Sequence, residues 1–364
     1  MNRDPGLESW LRLTLTPGLG AATLRELLKQ FGLPEHVLAA DRAQLERFAP
    51  AAALDALRSD PVTRAVARAM QWADAGDRAL VTFSDARYPK LLLEIADPPP
   101  LLYAEGRLEL LERPSLAIVG SRNCTTQGER DAERFAQSLS ESGLTIVSGL
   151  ALGIDAAAHR GGLAGRGSTL AVLGTGIDIV YPERNLALSE RIKRDGLLLS
   201  EFPLGVRPLS HNFPRRNRLI SGLSQGCLVV EAALASGSLI TARAAAEQGR
   251  EVFAVPGSIH SPLSKGNHAL IRSGAKLVET ADDVLAELSS FARAGRSPVR
   301  EAVGEQAEIA EEPFLERMGF DPVEVDSLCL LLDLSAEKVA SELLRLELAG
   351  RVASLPGGLY QRLS

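Results

Sequence analysis

Three glycine turns hold the residue types best suited to binding chemistry. Gly120-Ser121-Arg122 follows the apolar run Leu116–Val119. Ser148-Gly149-Leu150-Ala151-Leu152-Gly153-Ile154-Asp155 follows Leu144–Val147, and Gly174-Thr175-Gly176-Ile177-Asp178 follows Thr169–Leu173. A glycine turn leading from a strand into a helix leaves backbone N–H groups at the positive end of the helix dipole, where an anion is favoured. Taken singly, each reads more readily as a tight turn. Three in register, the first carrying Arg122, point to a phosphate-bearing ligand. None spells a G-x-G-x-x-G fingerprint or a G-x-x-x-x-G-K-[ST] loop, so no dinucleotide or Walker-type nucleotide is indicated, and no cofactor is expected.

A second concentration is Asn212-Phe213-Pro214-Arg215-Arg216-Asn217-Arg218. Between Pro182 and Ile220 eight cations face four anions. On a helix starting near Pro214, Arg215 and Arg218 share a face and Arg216 points elsewhere, so the cluster can pair internally and still meet a ligand. Two readings stand side by side: a solvated helix start with one structural ion pair, and a phosphate-tracking patch with Phe213 and Tyr181 stacking on bases. Ser236-Gly237-Ser238-Leu239-Ile240-Thr241 opens another helix beyond the strand Cys227–Val230. Lys265-Gly266-Asn267 continues the same edge.

Catalytic groupings are absent from the pattern. His159, His211, His260 and His268 are scattered, no Ser or Cys sits in a nucleophile elbow, and Asp155, Asp178 and Glu231 occupy separate turns. Asp155 reads as a helix-start residue and His159 as a packed or capping histidine. Cys124, Cys227 and Cys329 lie about a hundred residues apart, a spacing that writes neither a disulfide framework nor a zinc site. No catalytic residue and no metal ligand is predicted.

The elements that must position these residues follow from periodicity. Between Leu116 and Ala286 short apolar runs alternate with helical segments, the remaining runs being Leu197–Ser200, Cys227–Val230, Val252–Val255 and Lys276–Val278. Runs apolar at consecutive positions are buried on both faces, which predicts an α/β fold with a doubly wound, mainly parallel sheet and its ligand at the carboxyl ends of the strands. Before it, residues 7–72 show helical spacing, with Gly32 placed to end a helix. Thr16-Pro17-Gly18-Leu19-Gly20 there resembles a helix-hairpin-helix turn or a plain turn within a bundle. Phe83–Gly106, with Asp97-Pro98-Pro99-Pro100, is expected to bridge the two parts. Residues 291–313 read as a flexible linker. Residues 314–364 read as two helices, one capped by Ser335, and a hairpin around Pro356-Gly357-Gly358, which suits a winged-helix module.

These motifs, in this order, resemble the DNA-processing protein A (DprA, also Smf) family over roughly residues 88–288. The match rests on Ile118 to Arg122, Ser148 to His159, Gly174 to Pro182, Phe213 to Gly222 and Ser236 to Ala242. The resemblance implies an extended Rossmann-like domain at 81–290, a small sterile-alpha-motif-like helical domain at 1–80 and a C-terminal winged helix. It implies a cytoplasmic, non-enzymatic recombination mediator of competence and natural transformation. Such a protein binds and protects incoming single-stranded DNA, forms a homodimer through the Rossmann-like domain and helps load RecA. Carried over, Arg122 with Gly120 and Ser121 becomes the central phosphate contact, and Ser148, Gly149, Arg216, Asn217, Arg218 and Thr241 line the rest. Phe213 and Lys265 join them from the residue reading.

Two departures qualify the resemblance. Many members place a DNA-contacting lysine after the Tyr-Pro pair, where this chain has Glu183 and then Arg184, so either Arg184 takes that contact from a shifted position or the pocket binds differently here. The second helix of the C-terminal module exposes Glu337, Lys338, Glu342 and Arg345, fewer cations than groove reading requires. Double-stranded DNA contact there is expected to be weak, with a protein contact as the equal alternative. A nucleotide-processing enzyme of the phosphoribohydrolase type is the competing class, disfavoured because Glu231 to Thr241 lacks that family's Pro-Gly-Gly loop.

Composition fits this division. In 364 residues the net charge is −6, from 46 acidic and 40 basic side chains, and 45% of residues are hydrophobic, enough for a large core. Six of the cations are lysines, so arginine, the planar phosphate binder, supplies the other 34. Residues 1–106 carry −2, residues 107–290 carry +1 and residues 291–364 carry −5. The acidity belongs to the tail, and the central segment is free to meet a polyanion. The N-terminus lacks a signal-peptide pattern and no run of about 18 apolar residues occurs, so a soluble intracellular protein with no membrane contact is expected.

Overall fold

The computed structural model describes residues 6–74, 76–288, 313–332, 334, 336–348, 350–355 and 359–363. The linker expected at 291–313, save its last residue, the Ser335 cap and the turn at 356–358 lie outside them. The chain divides into two compact units, residues 1–123 with 132–295, and residues 124–131 with 296–364.

The larger unit is built on a nine-stranded sheet of order β1-β2-β6-β5-β4-β3-β7-β8-β9. Its strands are β1 Arg78–Thr82, β2 Leu101–Gly106, β3 Ser115–Val119, β4 Thr145–Ser148, β5 Thr169–Val172, β6 Leu197–Ser200, β7 Gly226–Val229, β8 Glu251–Ala254 and β9 Lys276–Leu277. From β6 to β9 every neighbouring pair is parallel. All residues of β3 to β7 are buried, the cause of their unbroken apolar runs. The fold is therefore α/β with a doubly wound, mainly parallel sheet.

Residues 83–106 are more than a bridge. Once Pro100 is passed, Leu101-Leu102-Tyr103-Ala104 forms β2, which pairs antiparallel with β6 (Tyr103 opposite Ser200) and with β1. The proline run ends just before the strand, where the Tyr88 hydroxyl donates to the Pro99 carbonyl at 2.8 Å. An apolar run this short, after three prolines, carries no period of its own, and only burial on both faces makes it a strand.

The helices are α1 Leu7–Leu15, α2 Ala21–Phe31, α3 Pro34–Ala39, α4 Arg42–Leu45, α5 Ala51–Ala56, α6 Asp60–Trp72, α7 Lys90–Leu93, α8 Thr126–Glu141, α9 Ile154–Ala164, α10 Leu186–Asp195, α11 Asn212–Gly222, α12 Ser238–Glu247, α13 Lys265–Arg272 and α14 Ala281–Glu287. One face of the sheet packs on α7, α11 and α12 through Leu92, Leu219, Ile220, Leu239 and Ala242. The other packs on α1 and α6, whose Leu7, Leu11, Val62, Val66 and Ala69 meet Leu80, Tyr103, Ala171 and Leu198. The helical segment and the sheet thus share a core, while α2 to α5 gather around Leu24, Leu27, Val37 and Leu54.

The chain runs outward through β3, β4, β5 and β6, then returns along α11 to place β7 against the free side of β3, Val119 opposite Val229. This reversal leaves a crevice at the carboxyl ends of β3 and β7, the usual ligand position in such sheets.

The smaller unit holds α15 Pro313–Met318, α16 Val325–Leu332 and α17 Ala336–Leu348 with strands β10 Val323–Glu324, β11 Val352–Leu355 and β12 Leu359–Arg362, ordered β10-β12-β11. Leu315, Leu328, Val339, Leu343 and Val352 form its core. It is a winged helix, with one helix and one short strand more than the apolar periodicity disclosed. Among the described residues no helix is long and apolar enough to cross a membrane.

Candidate nucleic-acid interface

A cleft of about 770 Å³ occupies the crevice between β3 and β7. The turn after β3 forms one wall, residues 233–238 after β7 form the opposite wall, and α11 forms the floor with Phe213, Arg216 and Asn217. The walls are tied together: Ser121 N–H donates to the Glu231 carbonyl at 2.7 Å, and Ile154 N–H donates to the Ser121 carbonyl at 3.2 Å. Gly153 makes the second contact possible. Its φ is +73°, and a Cβ there would stand 2.4 Å from the Ser121 oxygen, so only glycine fits.

Most of the turn amides expected to be bare already have partners inside the protein. Gly149 and Ala151 donate to the Asp155 carboxylate at 3.1 and 3.4 Å, and Leu150 donates to His159 Nε2 at 3.2 Å. Asp155 is thus the resident anion of the second turn. In the third turn Asp178 accepts from Gly205 N–H at 2.8 Å and pairs with Arg68 of α6 at 2.9 Å. At the start of α12, Ser236 takes the amides of Ser238 and Leu239, and the Gly237 carbonyl takes that of Ile240. What the cleft offers a ligand is arginine side chains, the Ser238 and Thr241 hydroxyls and the α12 dipole.

Arg216 is the buried cation of the floor. Its Nη1 donates to the Val172 carbonyl at 2.6 Å, and it packs where a Cβ on Gly149 would stand 2.0 Å from Nη1. Burial lowers its pKa to about 10, with the nearby Asp155 carboxylate opposing the shift. Burial in turn raises the Asp155 carboxyl above its ordinary range, against the pull of Arg216. The two buried charges sustain each other.

His159 is a brace. Thr169 Oγ1 gives its proton to the Ile146 carbonyl, so at 2.7 Å it accepts from His159 Nδ1, leaving Nε2 free to receive Leu150 N–H. Burial, helped by the Arg216 charge, depresses the imidazole pKa to about 3. A histidine kept neutral in the fold contributes stability that is fully present above its unfolded value of 6.5 and lost as pH falls toward 3, at about 1.4 kcal/mol per pH unit. The stability advantage of the parent chain over His159→Gln, measured by urea unfolding, should narrow by about 2 kcal/mol between neutrality and about pH 5. An advantage that stays constant would place the titration elsewhere.

Arg122 stands exposed at the rim, its guanidinium carbon 5.7 Å from the centre of the Phe213 ring. Phe213 in turn meets Tyr181, ring centres 5.7 Å apart and tilted by 42°. Gly174 lets Phe213 seat closely, since a Cβ there would lie 2.7 Å from the ring. A planar cation beside two partly exposed rings can hold a phosphate and stack a base.

The structure brings Gly120, Ser121, Arg122, Phe213, Arg216, Asn217 and Thr241 to one cleft. Ser148 lies behind it, donating to the Ile118 carbonyl at 2.7 Å, and Gly149 is the seat of Arg216. Arg218 turns away with Arg215, both pairing with the buried Glu201, and also approaches Asp97 at 3.6 Å. Arg184, exposed in the short turn Glu183–Asn185, and Lys265, bonded to the Ile259 carbonyl, lie outside the cleft lining. Asn185 escaped the sequence reading: it donates to the Leu150 and Ala151 carbonyls at 2.9 and 3.1 Å and so supports the second turn from below.

The family model described as DNA recombination-mediator protein A matches residues 79–289, and that described as DprA winged helix domain matches residues 298–358. Protein Smf of Escherichia coli K12 is 42% identical over 305 residues, 82% of this chain and 81% of that protein. DNA processing protein DprA of Streptococcus pneumoniae is 53% identical over 203 residues, 56% of this chain and 72% of that protein. The X-ray structure of S. pneumoniae DNA processing protein A covers 76% of this chain and 95% of its own, with TM-score 0.67 and 41% identity. The structure of DNA processing protein A from Helicobacter pylori, described as giving insight into its single-stranded DNA binding mode, covers 58% of this chain and 96% of its own, with TM-score 0.53 and 30% identity.

Proposed function

Because the chain belongs to the DNA recombination-mediator protein A (DprA/Smf) family, we propose that it binds single-stranded DNA in the cleft between β3 and β7 and acts as a recombination mediator. The observation that carries this reading is Arg122 held against Phe213, which itself meets Tyr181, at the mouth of a cleft floored by a second arginine. Such a surface takes phosphates and base faces without reading base edges, as a protein handling incoming DNA of any sequence requires. The Helicobacter pylori relative, described by its single-strand binding mode, supports the same ligand.

The protein protects transforming DNA in the cytoplasm, dimerises through the α/β unit and helps load RecA. It works by binding rather than turnover, because the buried Asp155 and His159 are engaged in holding the 149–151 turn. DNA contact is assigned to Gly120, Ser121, Arg122, Phe213, Arg216, Asn217 and Thr241. Ser148 and Gly149 shape the cleft from behind, while Arg218, Arg184 and Lys265 are outer positions a longer strand would reach. The working division is 1–80, 81–290, 291–313 and 314–364, with any double-strand contact of the last segment weak.

Phe213 offers a direct test on the full chain. Phe213→Ala removes the ring beside Arg122 and Tyr181, and fluorescence anisotropy with a single-stranded oligonucleotide should show affinity falling roughly fivefold, about 1 kcal/mol. The salt dependence should stay unchanged, since no charge is lost. Parent-like affinity in Phe213→Ala would remove stacking from the proposal.

A further inference from the structure

A second cavity, of about 630 Å³, lies within the larger unit at the end of β6. Helix α11 borders both spaces, presenting Arg216 and Asn217 to the cleft and Arg215 to this cavity. Pro99, Pro100, Leu101 and Phe202 supply its apolar walls beside the Arg25–Asp97 ion pair, and Gly20 before α2 and Ala22 in its first turn close it. The volume is that of a small-molecule site.

Two residues of its lining each carry a buried polar atom with no partner among the described residues. Glu201 is 8% exposed, and its Oε2 receives both Arg215, at 3.1 Å, and Arg218. The other carboxylate oxygen, Oε1, is buried with no hydrogen-bond partner among the described residues, and so is Thr14 Oγ1. A buried carboxylate oxygen left unpaired is costly, and such atoms in a native fold mark a missing donor. Above them Arg215, half exposed, lies with its guanidinium carbon 5.5 Å from the Phe202 ring centre, a planar cation with a face for stacking.

We propose that this cavity takes one nucleobase of the strand bound in the cleft, the base N–H donating to Glu201 Oε1 while the Thr14 hydroxyl donates to the acceptor beside it. This rests on the reading that the cleft binds single-stranded DNA. All four bases set an N–H donor next to an acceptor on the pairing edge, so the site matches a base of any identity. The apolar walls and Arg215 supply the stacking. A duplex is excluded, because its pairing edges are already used.

The test uses the full chain and single-stranded oligonucleotides carrying 5-iodouracil, with crosslinked peptides mapped after irradiation. Crosslinks are expected in the peptide containing Phe202 as well as in those containing Tyr181 or Phe213. Ala22 is exposed in the first turn of α2, so Ala22→Trp fills the cavity without touching the Glu201 ion pairs. It should abolish the Phe202 crosslink, keep those of the cleft and weaken binding roughly fivefold. Thr14→Val, which keeps the shape and removes the hydroxyl, should weaken binding roughly twofold to threefold. Crosslinks confined to the cleft, or parent-like affinity in both variants, overturn the cavity assignment and leave the cleft reading standing. Failure of the parent chain to bind any single strand overturns both.

Discussion

Arg122→Ala should lower the affinity of the full chain for a single-stranded oligonucleotide by roughly 10- to 100-fold at moderate salt, about 1.5–3 kcal/mol. Arg122 is exposed at the cleft mouth beside Phe213, so its removal costs the fold little and the ligand a charge-assisted contact. The slope of log affinity against log salt should fall by about 0.7, the share of one phosphate on a single strand. Arg122→Lys separates charge from shape. It should keep the salt slope yet recover only part of the affinity, because an ammonium neither forks onto a phosphate nor stacks as a plane. Parent-like binding by Arg122→Ala would remove the central contact from the account.

Arg216→Ala acts on the fold instead, with an expected loss of about 3 kcal/mol in urea unfolding near neutral pH. The substitution leaves the Val172 carbonyl without its donor and the buried Asp155 without its balancing charge. The pH dependence identifies the cause. Asp155 already has a folded pKa above its unfolded value of 3.8, so its ionised form is a burden on the fold, absent in acid and full above the folded pKa. Without Arg216 that folded pKa rises further. The deficit of Arg216→Ala should therefore shrink as pH falls from about 8 to about 5, and Asp155→Asn in the same chain should recover part of it at neutral pH. A deficit independent of pH would assign the loss to packing alone.

Much of this was legible in the sequence, and the reasons differ by element. Strands β3 to β7 showed as apolar runs because a parallel sheet covered on both sides demands consecutive burial. The split of the arginine cluster followed from helical geometry alone: Arg215 and Arg218 do share a face and an anion, Glu201, while Arg216 turns to the cleft. What escaped was set by contacts between distant segments. The amides of the second turn have partners four, six and nine residues onward, on Asp155 and His159, whose side chains reach back only because α9 packs beneath that turn. Asn185 reaches the same turn across 34 and 35 residues, and nothing near it in sequence announces that bond. Arg184, expected from the resemblance to take a phosphate contact, lies outside the cleft lining, so the proposed phosphate binding rests mainly on Arg122.

Hydrogen–deuterium exchange of the full chain, with and without a saturating single-stranded oligonucleotide, tests the central claim most directly. Slowed exchange is expected at residues 120–123, 212–217 and 236–241, the three segments that meet at the β3–β7 crevice, with weaker protection of them by the same strand in Arg122→Ala at equal concentration. Protection confined to residues 313–363, with those three segments unchanged in the parent chain, would contradict it.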